Sequence, residues 1–448
     1  MTTISTPSAR AAGTRANVAA APRSSVLQRP LASYYLVLVS TGLLLAIGFV
    51  MVLSASSVRS YSTYGSSYAI AVKQGVFIGI GLPGLWIASR LPVRVWRRLA
   101  LPLLLGAVAL LALVLVPGIG RDASGARRWI PLAGGLFNLQ PSELAKLGLS
   151  LWGADLLVRK RRLLVEWKHL LIPLVPVAGL ISVLVLLEPD MGTTIVVASI
   201  LIALLWVVGA PARIFAGLVG VIAVLGGLLA VAEPYRLARL THFMNPCALQ
   251  QRLEGGFQAC QGLQALGSGG ILGLGLGASR EKWAGGLPNP YTDYVYAIVG
   301  EELGLLGTLT VLLLFATLTF AGVRIAKRST DPFARLAASG VTVWIAVQAL
   351  VNMGTVAGLV PVTGIPLPLV SFGGSALIPT LVAIGMLLSF ARAEPGAKKA
   401  LAAKPARLRA VLGRRAPVKA AVPAQRSART RRPSPPLSAT RRPVARKR

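Results

Sequence analysis

Apolar residues in this chain gather into long runs that shorter polar segments separate, and two clear runs cover residues 34–53 and 303–323. A helix rises ~1.5 Å per residue and the hydrocarbon core of a bilayer is ~30 Å thick, so ~20 apolar residues can cross it. The pattern predicts an all-α integral membrane protein with ten transmembrane helices. We place them at about 34–54, 69–89, 99–117, 141–158, 169–187, 191–209, 212–232, 303–323, 334–357 and 375–391.

Charge along the chain predicts which segments face the cytoplasm. Cations are dense in residues 89–98, 158–162 and 323–335, so the positive-inside rule places these segments in the cytoplasm. Residues 118–140 and 233–302 then lie outside, the second as a long extracytoplasmic loop between spans 7 and 8. Both chain termini are predicted to be cytoplasmic, and the protein is predicted to be multi-pass in the cytoplasmic membrane.

The two tails carry most of the formal net charge of +33. Residues 1–33 hold four arginines and no acid, and residues 392–448 hold eighteen lysines or arginines with one glutamate. The second tail is rich in Pro, Ala and Arg, which predicts disorder. Nucleic-acid binding would suit such tails, but we favour cytoplasmic anchoring against anionic membrane lipids and expect no nucleic-acid partner. The membrane core is therefore assigned to residues 34–391.

Several cations fall in segments that the topology places outside. Ordinary loop solubility explains them, and so does an anionic ligand at the outer membrane surface; the composition leaves both open. The glycine-rich stretch 267–277 lacks a following GKS or GKT, so it is not a nucleotide-binding loop. A flexible or closely packed loop is the better interpretation.

Three acids gather in "NPYTDYVYAIVGEELG", although the chain has only fourteen. One helix from Asp293 to Val323 would extend ~46 Å, so its first turns should project beyond the hydrocarbon. Asp293, Glu301 and Glu302 would then lie at or outside the headgroup boundary. Asp293 is either an acid stabilised at a helix N-terminus or a general base facing a groove.

Glu143 and Lys146 lie three residues apart on one face of the fourth span and can form an ion pair. The pair is either structural or functional, because ionisable groups inside membrane spans mark functional sites by default. Glu188 and Asp190 join two spans, and we interpret them as turn residues.

The uncharged segment 358–375 is rich in Gly and Pro, which is typical of backbone that folds back beside a cavity. Ser371 and Ser375 could donate hydrogen bonds there. Cys247 and Cys260 share the long outside loop, an oxidising setting, and we favour a disulfide over two unpaired thiols.

Four stretches resemble the shape, elongation, division and sporulation (SEDS) family of membrane glycosyltransferases over roughly residues 34–391. They are "QPSELAKL", "EPDMGTT", "LPNPYTDYVYAIVGEELGLLG" and "GLVPVTGIPLPLVSFGGS", and they occur in the order typical of that family. The third is more similar to cell-division members than to elongation members. It departs from the common "EAHTDF" at "NPYTDY", so no role is assigned to the missing Glu and His.

The resemblance implies a polymerase of lipid II on the outer membrane face. Asp293 would be the catalytic base, and the product a β-1,4 glycan released from undecaprenyl pyrophosphate with inversion. The resemblance also implies substrate-binding roles for Glu143, Lys146, Arg127, Arg128, Arg280, Lys282, Glu302 and Ser371.

The expected cofactor is a divalent cation, Mg²⁺ or Mn²⁺, with unknown ligands and no organic cofactor. The expected partners are a class B penicillin-binding transpeptidase and other division proteins at the septum, with lipid II and nascent glycan as substrates. An elongation-type polymerase, a lipid II flippase and a scaffold for division proteins remain alternatives.

Overall fold

A computed structural model describes residues 31–123, 126–132, 137–163, 166–232, 245–248, 256–283 and 285–397. The predicted tails, apart from residues 31–33 and 392–397, lie outside this described part. Helices dominate it, as the hydropathy pattern predicts. They are α1 (Ala32–Tyr64), α2 (Ala69–Arg90), α3 (Val93–Val114), α4 (Pro141–Arg159), α5 (Trp167–Leu171), α6 (Leu174–Leu187), α7 (Met191–Val208), α8 (Ala212–Ala232), α9 (Phe257–Ser268), α10 (Val295–Arg328), α11 (Pro332–Val356) and α12 (Gly374–Ala393).

Each of the ten predicted spans falls on one of these helices, with α5 and α6 together forming the fifth. Eight described helices are long and apolar enough to cross a membrane. The two predicted spans outside that set are α4, which carries four charged residues, and α8, whose sufficiently apolar part is Ala212–Val221. The fold is an all-α membrane protein, and the count of ten spans stays a prediction.

Ion pairs and hydrogen bonds close one end of the bundle, which we call the Glu394 end. Arg328 Nε lies 3.1 Å from Glu394 Oε2 and joins α10 to the residue that follows α12. Arg97 and Asp155 join α3 to α4, with 2.6 Å between Nε and Oδ1. Arg392 donates to Ser89 O at 3.3 Å, and Arg159 pairs with Asp155, so the cation-dense segments 89–98, 158–162 and 323–335 share this end.

The opposite end, which we call the Asp293 end, holds the short sheet and most of the predicted site residues. Strands β1 (Arg121–Ala123), β2 (Ala126–Leu132) and β3 (Phe137–Leu139) pair antiparallel in the order β1-β2-β3. The helical pattern did not predict this sheet, because its strands are short and lie in a segment expected to be loop. β3 leads directly into α4 and so helps to set the start of that helix.

Helix α11 forms the centre of the bundle and packs against α4, α7 and α10. Its Trp344 is fully buried, and small residues such as Ala337, Ala338 and Gly340 let neighbouring helices approach closely. The segment that follows α11 runs without helix to Gly373, and its Leu367 and Val370 are buried. Irregular backbone at this depth is thus covered by protein, as the fold-back prediction requires.

Helix α10 differs from the single continuous helix that the sequence suggests. It begins at Val295, two residues after Asp293, and its helical geometry breaks at Gly304, where φ is 65° and ψ is −161°. Residues 295–303 and 305–328 are therefore two helical segments. The single helix from Asp293 to Val323, assumed for the ~46 Å estimate, is therefore not observed, and Gly304 adopts a conformation that other residues rarely reach.

Candidate active site

Asp293 lies at the N-terminal end of α10 with its side chain half-buried. Its Oδ1 accepts a hydrogen bond from Thr292 Oγ1 at 2.8 Å. The helix starts only after Tyr294, whose ring is buried beneath it. The carboxylate is therefore held at the edge of the packed bundle, partly desolvated yet still accessible from the Asp293 end.

Asn352 of α11 fixes the backbone of this aspartate. Its Nδ2 donates to Asp293 O at 2.7 Å and to Ile365 O at 2.8 Å. Both bonds are made by one buried amide, so the aspartate and the non-helical segment keep a fixed separation. The Oδ1 of the same amide is buried and has no hydrogen-bond partner among the described residues.

Glu143 and Lys146 form a buried ion pair in the first two turns of α4. Glu143 Oε1 and Lys146 Nζ are 2.8 Å apart, and both side chains are almost wholly shielded from solvent. Lys146 Nζ also donates to Gln348 Oε1 at 2.7 Å and lies over the Trp344 ring. Within the described part of the chain, Glu143 Oε2 has no hydrogen-bond partner.

One hydrogen-bonded network joins these residues to Asp293. Gln348 and Asn352 are one turn apart on α11, and Gln348 Nε2 donates to Pro366 O at 3.1 Å while Asn352 binds the preceding carbonyl. The two amides therefore hold consecutive carbonyls of the fold-back segment. Through them the Glu143–Lys146 pair is connected to the backbone of Asp293.

Glu301 and Glu302 are buried, and they bind a neighbouring loop. Glu301 accepts from Ser279 Oγ at 2.5 Å and from the Arg280 backbone N–H at 2.7 Å. Glu302 Oε1 accepts from Ser54 Oγ at 2.6 Å and lies 3.4 Å from Lys282 Nζ. Both acids are surrounded by protein polar groups, which the sequence analysis did not predict, and their level in the membrane stays a prediction.

Lys282, predicted to bind substrate, is itself buried among protein groups. Its Nζ donates to Gly277 O at 2.5 Å, besides approaching Glu302. Ser371, another predicted binding residue, is also buried, and its Oγ accepts from Leu367 N at 2.8 Å. Both side chains thus make contacts that order the site.

The outward arginines divide into two kinds. Arg127 on β2 and Arg280 are exposed. Arg128 instead donates from Nε to Glu188 O at 2.9 Å and from its terminal nitrogen to Pro189 O. The exposure of Arg127 and Arg280 makes both accessible to an anion from solution.

The turn between α6 and α7 is buried, which the turn interpretation did not anticipate. Asp190 caps α7 by accepting from Thr193 N at 3.0 Å and from Thr193 Oγ1 at 2.9 Å. Neither carboxylate oxygen of Glu188 has a hydrogen-bond partner in the part of the chain that the structure describes. Burial, with the nearby Asp190 charge, raises the pKa of Glu188 to about 8, although Arg128 opposes the shift.

The divalent cation that the resemblance implies finds no matching ligand set. No three His, Cys, Asp or Glu side chains come together suitably for a metal ion within the described ranges. The acids nearest Asp293 in sequence, Glu301 and Glu302, already bind the 277–282 loop. The described residues thus offer no ligand set for a resident metal, the divalent cation stays a prediction, and we assign no step to one.

A disulfide joins Cys247 to Cys260 at the start of α9, with the Cα atoms 5.0 Å apart. This is the pairing that the sequence analysis favours. It links the segment 245–248 to α9, whose Gly262 lies against the Tyr294 ring beside Asp293. The bridge therefore constrains the loop close to the candidate base.

Three residues of the hydrogen-bonded site were not predicted from the sequence: Ser54, Gln348 and Asn352. A signal was present for the last two, since two amides spaced four apart in an apolar span lie on one helix face and need buried partners. Ser54 carries no comparable signal, because serine is common within membrane helices and its partner Glu302 is remote in sequence.

Comparison with known proteins identifies relatives over most of the chain. A family model described as "Cell cycle protein", covering FtsW, RodA and SpoVE, matches residues 34–395. The "Probable peptidoglycan glycosyltransferase FtsW" of Mycobacterium tuberculosis is 43% identical over 377 residues, which is 84% of this chain and 71% of that protein. The "Stage V sporulation protein E" of Bacillus subtilis is 38% identical over 359 residues, which is 80% of this chain and 96% of that protein.

A solved structure shares the fold. It is described as "Structural coordination of polymerization and crosslinking by a peptidoglycan synthase complex". The two chains are 30% identical with a TM-score of 0.65, and the match covers 80% of this chain and 97% of the other.

Proposed function

The chain belongs to the SEDS family of cell cycle proteins, and on that premise we propose that it is a peptidoglycan glycosyltransferase that polymerises lipid II. Relatives named as peptidoglycan glycosyltransferases support the reaction class, and the match to a structure from a peptidoglycan synthase complex supports the assembly. The observation that carries the assignment of the site is the position of Asp293. It is a half-buried carboxylate whose backbone is fixed to the α11 network.

In the proposed reaction, Asp293 accepts the proton of an acceptor sugar hydroxyl. The freed oxygen attacks the anomeric carbon of the donor, a carbon–oxygen bond forms there, and the bond to undecaprenyl pyrophosphate breaks. A single displacement inverts the donor from α to β. A carboxylate base opposite the leaving group follows the logic of inverting glycosidases, with a sugar hydroxyl in place of water.

The surroundings of Asp293 suit a base because its geometry is fixed before substrate arrives. Asn352 holds the aspartate backbone, and a correctly oriented base requires no reorganisation during proton transfer. Glu143 and Lys146, which are buried, would act by holding Gln348 and with it the α11 network that fixes the Asp293 backbone.

The exposed arginines provide charge for the donor. We assign Arg127 and Arg280 to the pyrophosphate, because guanidinium groups pair well with phosphate oxygens and both face solvent. Charge neutralisation of the departing pyrophosphate would stabilise the transition state. Arg128 and Lys282, which are bound to protein groups, would act by shaping the two loops.

The proposed orientation of the protein in the membrane follows from the distribution of charge. Cation-dense segments 89–98, 158–162 and 323–335 lie at the Glu394 end, so the positive-inside rule places that end and both termini in the cytoplasm. Asp293 would then face the outside, where lipid II is polymerised. The matched structure couples polymerisation to crosslinking, which supports a class B transpeptidase partner, and the mycobacterial relative, named FtsW, supports a septal role.

The decisive experiment uses purified protein, its transpeptidase partner and fluorescent lipid II. Asp293→Asn keeps the size of the side chain and removes the base, so we expect at least a ~100-fold loss of glycan polymer. Glu166→Gln, at an exposed carboxylate between α4 and α5, is the matched control and should polymerise normally. Full polymerisation by Asp293→Asn would refute the assigned role, provided that both variants elute as folded protein.

The flippase alternative has its own support in the buried Glu143–Lys146 pair, because transporters place charged groups inside their spans. Sealed vesicles distinguish the two functions. If Lys146→Met abolishes lipid II translocation and leaves polymerisation intact, the flippase is favoured.

Polymerisation that persists after deletion of residues 398–448 would exclude a scaffold acting only through its tail.

A further inference from the structure

The loop between α9 and the Ser279–Lys282 segment exposes an unusual amount of apolar surface. We call residues 269–278 the Gly–Leu loop; it contains no charged residue. Four of its side chains are exposed, by as much as 78% at the most open position: Ile271, Leu272, Leu274 and Leu276. A loop in water would normally expose polar side chains, so this surface needs a covering environment.

Several backbone groups of the Gly–Leu loop are hydrogen-bonded to other protein groups. Four hydrogen bonds attach it to the Gly304 break of α10: Leu274 N to Glu301 O, Gly275 N to Glu302 O, Leu305 N to Gly270 O and Leu306 N to Ile271 O. Two more lie within the loop, from Gly273 N to Gly269 O and from Ala278 N to Gly275 O. This pairing lowers the cost of placing that part of the backbone next to lipid, because hydrocarbon offers no hydrogen-bond partner.

The position of the loop along α10 indicates its depth in the membrane. After the break at Gly304, apolar side chains such as Leu305, Leu306 and Leu313 are exposed, and the first charged residue of the helix beyond the break is Arg324. From Leu305 to Val323 the helix rises ~28 Å, close to the ~30 Å of a hydrocarbon core. The loop is bonded to the first residues of that stretch, so it lies level with one boundary of the hydrocarbon.

We propose that the Gly–Leu loop is inserted into the membrane, where its leucines and isoleucine enter the edge of the acyl region of the leaflet at the Asp293 end. Trp283, 61% exposed just beyond the loop, would sit among the headgroups, as tryptophan commonly does at membrane interfaces. The inference rests on the α10 geometry and does not depend on the proposed enzymatic function.

The alternative occupant is a protein partner that docks on the same surface. The hydrogen bonds of the loop backbone favour lipid, because water could bond free peptide groups of a docking loop and hydrocarbon could not. The continuity with the exposed apolar face of α10 favours lipid as well. Both arguments predict contact with acyl chains when the protein stands alone in a bilayer.

Site-specific fluorescence quenching tests the proposal directly. The only two cysteines are bonded to each other, so Leu272→Cys and Leu276→Cys each provide a single thiol for an environment-sensitive dye. Each labelled protein is reconstituted alone into phosphatidylcholine vesicles. Nitroxide groups on acyl carbon 5 or 12 report depth, and iodide reports exposure to water.

We expect the carbon-5 nitroxide to quench both dyes at least twofold more strongly than the carbon-12 nitroxide does, with little quenching by iodide. Leu313→Cys, in the middle of α10, should show the opposite depth preference, and Ser62→Cys, exposed in the last turn of α1, should respond to iodide. Iodide quenching at both loop positions equal to that at Ser62 would overturn the proposal. Shielding from iodide only after a transpeptidase is added would overturn it too, and would assign the surface to protein docking.

Discussion

Replacing Gly304 by alanine should disrupt the junction between the two segments of α10. At φ 65° and ψ −161° this residue occupies a region that side chains with a Cβ rarely adopt. An added Cβ would lie 2.4 Å from Gly273 N and 2.5 Å from Ile271 O. Both are backbone atoms of the Gly–Leu loop, so neither can rotate away as a flexible side chain could.

Two costs combine in this variant. The strained backbone conformation costs ~1–3 kcal/mol for a residue other than glycine. Displacement of the loop would weaken its hydrogen bonds to the break, each worth about 1 kcal/mol. We therefore expect Gly304→Ala to lower the free energy of unfolding by about 2–5 kcal/mol.

The matched control is Gly79→Ala in the interior of α2. No atom lies within 4 Å of a Cβ built at Gly79, and the residue is helical. Alanine should stabilise that position by ~0.5–1 kcal/mol, because glycine loses more conformational freedom in a helix. The same chemical change is thus expected to have opposite signs at the two sites.

Thermal unfolding of the purified variants in one detergent measures the difference. Gly304→Ala should unfold several degrees below the unmodified protein, and Gly79→Ala at or above it. Equal midpoints for the two variants would refute the broken helix, since alanine at residue 304 of a continuous helix would cost nothing. Iodide exposure of a dye at Leu272 in the Gly304→Ala background would show whether the loop itself moves.

Two further results should follow from buried charges. Glu143→Gln or Lys146→Met alone should lower the free energy of unfolding by about 3–5 kcal/mol, because either change leaves one buried ion uncompensated. The double variant should recover much of that loss. Additive effects in a double-mutant cycle on unfolding would contradict the pairing. Folded Glu188 keeps a proton between pH 4.5 and about 8 that the unfolded chain releases, so stability should fall with rising pH in that window by up to about 1.4 kcal/mol per unit. Glu188→Gln should flatten the slope, and an unchanged slope would contradict the burial argument.

Much of the fold could be predicted because lipid imposes a simple rule on sequence. Long apolar runs must be helical, and each predicted span does fall on a helix. The break at Gly304 could not be predicted, since glycine is frequent in membrane helices and "GEELGLLG" continues an apolar helix on both sides. At the break the backbone of residues 301–306 is hydrogen-bonded to residues 270–275, which are remote enough in sequence to leave no local pattern.

The sequence could predict which residues belong to the candidate site, but not how they are connected. Ionisable residues within an apolar chain are few, so Asp293, Glu143 and Lys146 could be singled out from the sequence. Their connection could not, because it runs through two amides of α11 and two carbonyls of the fold-back segment. Neutral side chains whose partners are backbone atoms leave no charge pattern to read.

The three acids gathered in "NPYTDYVYAIVGEELG" have separate tasks, and burial distinguishes them. Glu301 and Glu302 are almost completely buried and accept bonds from the loop of Ser279 and Arg280, so a proton acquired from substrate would break those bonds. Asp293 is half-buried, and the Thr292 hydroxyl that binds it can turn to donate or accept. We propose that this carboxylate is the base, because of the three it is the least buried and so the one that an acceptor hydroxyl can approach from the Asp293 end.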